Sequence, residues 1–254
     1  MKLSRLSHIE EYVLQKDFVS LDELCEVFNK SKNTIRRDVS ELVANGIVQK
    51  VYGGVRTVKQ PGNTLVSFTE RNIKSVKEKQ YIGALAAKFV NDGDVIFVDS
   101  GTTTVNIVRH LSHLKGVTIL TNNLYVIMSC MDLPSINTIS FGGQLNRTTA
   151  SFSSNFCSME NLHRFNINKV FMAATGVSIE KGATHTSPGE LAIKKDLVQK
   201  ADISFLLADY SKFGQTALLT YTELTSFHYV VSDRNPPDIY DEYFQEHNIQ
   251  LIVK

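Results

Sequence analysis

The sequence is poor in cysteine, and it lacks both a long apolar run and an apolar leader. Its three cysteines, Cys25, Cys130 and Cys157, do not stand at a spacing typical of metal ligands. An odd, scattered set of cysteines indicates a reducing compartment. No run of about 18 apolar residues is present, and polar and acidic residues occupy the N-terminal segment where a signal peptide requires apolar ones. We therefore expect a cytoplasmic protein with no membrane span, no metal and no cofactor.

Charge is distributed unevenly along the chain, although the formal net charge is only +1. Residues 1–29 carry a net charge of −3, and residues 30–60 carry +5. This contrast indicates a polarised surface near the N-terminus rather than a uniformly basic tail. With 43% hydrophobic residues over 254 positions, the chain is able to form a small domain and a larger one with packed cores.

The first sixty residues predict three helices, because apolar residues recur at three- and four-residue intervals. The first helix contains Leu3, Leu6, Ile9 and Val13. The second begins with a capping box of Ser20 and Glu23 and runs to about Phe28. The third begins after Ser31 and ends at Gly46, and its buried residues are Ile35, Val39, Leu42 and Val43. Since about three residues separate the second and third helices, the two cross sharply, as in a helix-turn-helix.

Side chains suited to nucleic acid lie on the third helix and on the segment that follows it. Arginine pairs with guanine and asparagine with adenine, while hydroxyl and lysine side chains hold phosphates. Two β-rich runs joined by Gly53 and Gly54 predict a hairpin that can act as a wing. The DNA-binding candidates are Ser31, Lys32, Asn33, Thr34, Arg36, Arg37 and Ser40 on the helix, with Lys50 and Arg56 on the hairpin. The same pattern also fits a solvated basic surface or a protein-binding module.

Residues 77–254 alternate between apolar runs and amphipathic helices, which predicts a mainly parallel sheet with helices on both sides. In such sheets ligands bind outside the carboxyl ends of the strands. We therefore expect one crevice lined by Asp99, Ser100, Gly101, Thr102, Thr103, Thr121, Asn122, Gly142, Gly143, Gly176, Asp209 and Lys212. The loop at residues 99–104 has a glycine, hydroxyls and a following helix, which suit a phosphate, although Ser and Thr are also common as plain helix caps. It is neither a P-loop nor a dinucleotide fingerprint.

Three further charged residues, Arg147, Glu190 and Lys194, are candidates for the same crevice. Arg147 is a candidate counter-charge for a phosphate. Glu190 and Lys194 lie four residues apart on one face of a predicted helix. Glu190 has an alternative structural role, because Ser187, Pro188 and Glu190 fit a capping box with proline in the first turn.

Asp99, Lys212 and His185 have different expected roles. A carboxylate repels a phosphate, so we expect Asp99 to accept a hydrogen bond from a sugar hydroxyl or a loop amide. Lys212 follows a predicted strand and is a second candidate counter-charge. His185 has no partner at a fixed spacing, and we expect it on the surface or in a loop.

Residues 19–54 resemble the N-terminal signature of the DeoR family of bacterial regulators, through the TIRRD core at residues 34–38 and the terminal Gly53-Gly54. Lys30 departs from the family, which usually has an apolar residue there. The resemblance continues through DSGTT at 99–103, TNN at 121–123, FGG at 141–143, GATH at 182–185 and ADYSKFG at 208–214, whereas SFSSNF at 151–156 lacks the glycine found in many members. It implies a recognition helix that contains Thr34, Arg36 and Arg37, and a sensor domain similar in fold to ribose-5-phosphate isomerase.

The expected domains are a winged helix-turn-helix at residues 1–58, an extended linker at 59–76 and an α/β effector-sensing domain at 77–254. The resemblance implies a transcriptional regulator, a repressor of a carbohydrate catabolic or transport operon, that is not an enzyme. We expect it to bind double-stranded operator DNA as a homodimer or homotetramer, and to be released by a phosphorylated sugar or polyol. One alternative is a sugar-phosphate isomerase-like enzyme with an accessory N-terminal domain, in which Asp99 or Glu190 acts as general base. Another is an adaptor whose winged helix binds protein.

Overall fold

A computed structural model of the chain describes residues 18–44, 48–57, 66–153 and 164–253, together with residues 9, 12, 13, 16 and 162. Contacts divide the chain into two compact units, residues 1–60 and 61–254. The predicted helix end at Gly46, the linker residues 59–65 and the last three residues of SFSSNF lie outside the described residues. No helix in the described part is long and apolar enough to cross a membrane.

The smaller unit combines helices with a three-stranded antiparallel sheet. Its described elements are strand β1 (Phe18–Ser20), helix α1 (Leu21–Phe28), helix α2 (Lys32–Ala44), strand β2 (Val48–Val51) and strand β3 (Gly54–Thr57), with the strand order β1-β3-β2. Leu24, Ile35, Val39 and Val55 are buried in its core together with Ile9 of the first predicted helix. Removal of this apolar surface from water holds the helices against the sheet.

The larger unit contains twelve described strands and five described α-helices. The strands are β4 (Val95–Val98), β5 (Thr118–Thr121), β6 (Asn137–Ser140), β7 (Gln144–Asn146), β8 (Ser151–Ser153), β9 (Lys169–Ala173), β10 (Gly176–Ser178), β11 (Gly182–His185), β12 (Ile203–Leu207), β13 (Leu219–Thr222), β14 (Tyr229–Val231) and β15 (Gln250–Ile252). The helices are α3 (Phe68–Asn72), α4 (Val76–Ala87), α5 (Leu124–Cys130), α6 (Pro188–Lys200) and α7 (Asp238–Glu246), and 3₁₀ helices cover Thr104–His110, Tyr210–Lys212 and Leu224–Ser226.

Seven strands form one sheet in the order β15-β14-β12-β9-β4-β5-β6, and every neighbouring pair in it is parallel. Side chains alternate between its two faces. Ile96 and Val98 of β4 therefore join one core with α4 and α5, whereas Phe97 joins the other with α6 and α7. The prediction of a mainly parallel α/β domain is confirmed.

Several local predictions are wrong. Residues 68–72 form a helix instead of an extended connector, and α4 begins at Val76, the last residue of the expected linker. The helix expected after the loop at 99–104 is present as a 3₁₀ helix of seven residues. Strand β1, the β7–β8 hairpin and the antiparallel sheet β10-β11-β13 were not predicted. Each of these strands has only three or four residues, and β1 and β13 also pair with strands that are distant in the sequence.

Candidate functional site

The turn before α2 is closed by its own hydrogen bonds. Asn29 has a left-handed backbone (φ 47°) at the end of α1, and the Lys30 amide donates to Cys25 O at 3.1 Å. The Ser31 hydroxyl accepts from the Thr34 amide at 3.4 Å, as the predicted N-cap does. This closure fixes the direction in which α2 leaves the turn.

One face of α2 is exposed and polar. Lys32, Asn33, Arg36, Arg37 and Ser40 are exposed and Thr34 is half-buried, whereas Ile35 and Val39 of the same helix are buried. Asn33, Arg36, Arg37, Ser40 and Glu41 border one shallow depression. Ser40 donates to Arg36 O at 2.7 Å, and Lys32 Nζ lies 2.6 Å from Asp22 Oδ1. An exposed ion pair of this kind is weak enough to be exchanged for a phosphate.

The hairpin of β2 and β3 lies beside α2. Lys50 Nζ donates to Ser40 Oγ at 3.0 Å, so one of the predicted wing residues is joined to the exposed face of the helix. Arg56 is exposed on β3. The turn consists of Tyr52 and Gly53, and Tyr52 at its tip is fully exposed. Gly54 belongs to β3, where a Cβ would lie 2.3 Å from Val19 O, so its role is close packing rather than turn geometry.

The second candidate site lies at the carboxyl ends of the parallel strands, as predicted. Asp99 and Ser100 follow β4, Thr121 ends β5 and Asp209 follows β12. A Cβ at Gly101 would lie 2.3 Å from Ala173 Cβ, so this loop packs closely against the end of β9.

The loop after β4 keeps polar groups available for a ligand. Within the described residues, the amides of Ser100, Thr102 and Thr103 have no backbone acceptor, and the Thr102 and Thr103 hydroxyls have no partner. Gly101 and Thr104 bond to each other instead, with 3.1 Å between the Gly101 amide and Thr104 Oγ1. Free amides and hydroxyls next to a glycine are the groups that hold a phosphate.

Asp99 and Lys194 form a buried ion pair. Their side chains are only 2% and 1% exposed, and Lys194 Nζ donates to Asp99 Oδ2. The same carboxylate oxygen accepts from the Ala173 amide at 2.8 Å, so its backbone partner lies at the end of strand β9 and not in a loop as expected. Lys194 also lies 5.3 Å from the centre of the Tyr221 ring. Both charges are therefore engaged by internal partners.

Glu190 joins three other segments at this end of the sheet. It accepts hydrogen bonds from Ser100 Oγ at 2.5 Å and Ser151 Oγ at 2.6 Å, and His185 Nε2 lies 3.1 Å from Glu190 Oε2. Burial opposes its ionisation, but His185, Ser100 and the charge of Lys194 outweigh burial and hold the pKa of Glu190 below its ordinary value.

Two predictions about this region are wrong. Ser187 makes no side-chain hydrogen bond to the start of α6, so Glu190 is not part of a capping box. His185 is neither exposed nor in a loop, because it ends β11 and is buried against Glu190.

Cations that the sequence pattern did not single out lie near this crevice. Arg71 on α3 interacts with the charges of Glu190 and Asp99, and burial lowers its pKa. The pKa of Lys79 is lowered to about 8, mainly by burial. The positive charges of Lys212 and Arg71 also lower it, whereas the negative charge of Asp209 raises it. Lys79 Nζ donates to Arg71 O at 2.5 Å. Lys79 therefore bonds to the helix that carries Arg71, and the charges of Arg71 and Lys212 act on it. We call these three residues the cation cluster; of them, only Lys212 was predicted.

Not every predicted crevice residue has the same environment. The Thr121 hydroxyl donates to Val98 O at 2.7 Å. Gly176 packs closely against the backbone of Gln215, because a Cβ at this position would lie 2.5 Å from Gln215 O. Asn122 is buried, and its Oδ1 has no partner among the described residues. Gly142 is half-buried, whereas Gly143 and Arg147 are exposed near the β7–β8 hairpin. These positions stay candidates for ligand contact.

Comparisons with known proteins cover both units. Residues 5–61 match the DeoR-like helix-turn-helix domain, and residues 74–234 match the DeoR C terminal sensor domain. The chain is 44% identical to the HTH-type transcriptional regulator IolR of Bacillus subtilis (strain 168), over 99% of each chain. It is 30% identical to the lactose phosphotransferase system repressor of Staphylococcus aureus (strain N315), over 91% of this chain and 92% of that one. A solved ribose 5-phosphate isomerase from Methanocaldococcus jannaschii is 20% identical, with a TM-score of 0.39 over 53% of each chain.

Replacing Lys194 by methionine should lower the free energy of unfolding of the larger unit by about 3–5 kcal/mol, because the Asp99 carboxylate is left buried without its partner. Urea denaturation measures this. Lys195→Met is the matched control, since Lys195 lies next to Lys194 on α6 but is exposed. Equal stability of the two variants would show that the pair is not structural.

Proposed function

Since the chain belongs to the DeoR family of bacterial transcriptional regulators, we propose that it represses a carbohydrate catabolic or transport operon and is released from operator DNA by a phosphorylated sugar or polyol. The observation that carries the proposal is the exposed polar face of α2, which follows a closed helix-turn-helix turn and is joined to a basic hairpin. A second observation, the cation cluster of Arg71, Lys79 and Lys212, supports the nature of the effector.

The exposed face of α2 carries side chains that are suited to contacts with DNA bases. Its first turns present Asn33, Arg36 and Arg37, and a recognition helix contacts base edges with its N-terminal residues. Lys50 and Arg56 on the hairpin supply charges for the phosphate backbone. Buried Ile35 and Val39 hold the opposite side of the helix, so the polar face is presented as a rigid surface. The smaller unit thereby supports DNA binding over the alternative of a merely solvated surface.

The crevice has the charge that attracts a phosphate. Asp99 is neutralised by Lys194, whereas the three cations Arg71, Lys79 and Lys212 outnumber the two carboxylates Asp209 and Glu190. The loop after β4 adds amides and hydroxyls that lack partners among the described residues. Cations with free amides favour a phosphate group, and Asn122 Oδ1 is a further acceptor for a sugar or polyol hydroxyl.

We infer that the crevice binds its ligand without converting it. A general base must reach a proton of the substrate. Two carboxylates were considered for this role. Asp99 accepts hydrogen bonds from Lys194 and the Ala173 amide, and Glu190 accepts hydrogen bonds from two serine hydroxyls and lies against His185. Steady turnover of a pentose or hexose phosphate that is lost in Glu190→Ala would favour the isomerase-like alternative instead.

Arg36→Ala and Arg37→Ala should each weaken binding to operator DNA selected from genomic fragments. A lost base contact costs about 1–3 kcal/mol, and a lost phosphate contact lowers the slope of log affinity against log salt by about one. Fluorescence anisotropy at several salt concentrations separates the two effects. Lys115→Ala, an exposed lysine of the larger unit, is the control. Unchanged affinity in both arginine variants would favour the protein-binding adaptor.

Lys212→Met should abolish release from the operator by the effector while leaving operator affinity in its absence unchanged. The reason is that Lys212 belongs to the cation cluster and not to the DNA-binding unit. The probes are a panel of hexose, pentose and polyol phosphates, with inorganic phosphate for comparison, assayed by thermal shift and DNA release. Lys77→Met is the matched control, because Lys77 is an exposed lysine near the start of α4. Normal release in Lys212→Met would remove the cluster from the effector site.

Affinity for the effector should fall as the pH rises above about 8, the pKa to which burial lowers Lys79. Below that pH Lys79 is protonated and attracts a phosphate; above it the free protein loses this charge, and affinity decreases by up to about tenfold per pH unit. Below about pH 6 the phosphate itself takes up a proton, so affinity is highest between the two values. Calorimetric titration across this range measures the effect, and an affinity that stays level through pH 8 would contradict it.

A further inference from the structure

The chain segment that forms one end of the parallel sheet is almost free of charge. Between Gly116 and Asn146 the chain has a single charged residue, Asp132, although charged residues make up 21% of the whole sequence. At an ordinary charged fraction, a segment of this length would contain roughly six or seven. The segment forms β5, α5, β6 and β7, and β6 is the outermost strand at this end of the sheet among the described strands.

Several residues of this uncharged segment are exposed on the surface. Met128 on α5 is 53% exposed, Met131 just after it is 78% exposed, and Asn137 and Ser140 at the two ends of β6 are also exposed. An edge strand presents backbone groups that pair with another strand, and proteins normally guard such edges with lysine, proline or a cover. Strand β6 has neither lysine nor proline, and the cores of protein interfaces are depleted of charge and enriched in methionine.

The opposite end of the sheet has different properties. Strand β15 lies there, and Tyr81 OH donates to Val253 O at 3.1 Å beside it. Residues 233–253, which include β15 and α7, contain five acidic residues and one basic residue. Two copies meeting at this end would bring like charges together, whereas two copies meeting at β6 would not.

We propose that the β6 edge, with Met128 and Met131, is the contact surface between two copies of this chain. The two β6 strands pair antiparallel about a two-fold axis, which continues the sheet from one copy into the other and places the same residues on both sides of the contact. The absence of charge makes this surface complementary to itself. The inference rests on the proposed repressor function, because two recognition helices must reach two half-sites of an operator.

The exposed methionines are needed for the size of such a contact. Each partner in a stable interface buries about 800 Å², which is more than a strand of four residues supplies. Met128 and Met131 extend the surface on the α5 side of the sheet, and methionine adapts to a facing copy because its side chain is unbranched and flexible.

The test is the mass of the full-length protein in solution, measured by light scattering and sedimentation over a range of concentrations. The interface variants are Ser140→Lys, which charges the edge strand, and Met131→Glu, which charges the helix side. Their matched controls are Gln250→Lys on the β15 edge and Ile239→Glu on α7, both at exposed positions. Circular dichroism and thermal melting confirm that each variant is folded.

We expect an even number of chains in the wild-type particle, a twofold lower mass in both interface variants and no change in the controls. Operator affinity should then fall roughly 100-fold through loss of the second half-site, while the thermal shift caused by the effector is retained. A monomeric wild type, or interface variants with the wild-type mass, would overturn the inference. Failure to bind operator DNA or sugar phosphates at unchanged mass would instead contradict the proposed function.

Discussion

The buried ion pair between Asp99 and Lys194 is the constraint on which the crevice depends. Asp99 follows β4, Lys194 belongs to α6, and the same carboxylate accepts the Ala173 amide at the end of β9, so one side chain fixes three elements. Loss of one partner from such a pair costs about 3–5 kcal/mol, a large part of the roughly 5–15 kcal/mol by which a domain is stable. Glu190 adds a second internal network next to it. The side chains in both networks thus have hydrogen-bond partners within the chain.

The general fold could be predicted because its signals are local in the sequence. Buried parallel strands are continuous apolar runs, and the carboxyl ends of such strands meet at one edge, which correctly brings Asp99, Thr121 and Asp209 to the same side of the sheet. Helix α2 could likewise be predicted, since a capping serine and apolar residues at helical spacing lie within one short segment.

The missed elements have no such local signal. Strand β1 has three residues and exists through pairing with β3, where Phe18 faces Arg56. His185 ends a short strand between β10 and β13, so its burial depends on pairings that a local pattern does not encode. Arg71 lies on a helix of five residues, which is too short to show a helical period. Of the partners of Glu190, Ser100 was a separate candidate, whereas Ser151 and His185 were not candidates, and their connection needed the tertiary structure.

The charges of the crevice explain how ligand binding and conformation can be linked. Once Asp99 is paired with Lys194, the cation cluster contains more positive than negative charge, and burial already lowers the pKa of Lys79 to about 8. A bound phosphate reduces the repulsion between these cations. A conformation in which the cations lie close together is therefore stabilised when a phosphate binds to them. A ligand shifts an equilibrium only by its difference in affinity for the two states. Arg71 and Lys79 stand on α3 and α4, the first described helices after the DNA-binding unit in the chain, and Lys79 bonds to carbonyls at the end of α3. Under the proposed function, a coupling of about 1–3 kcal/mol between effector binding and operator binding is enough to alter operator affinity by roughly 5- to 150-fold.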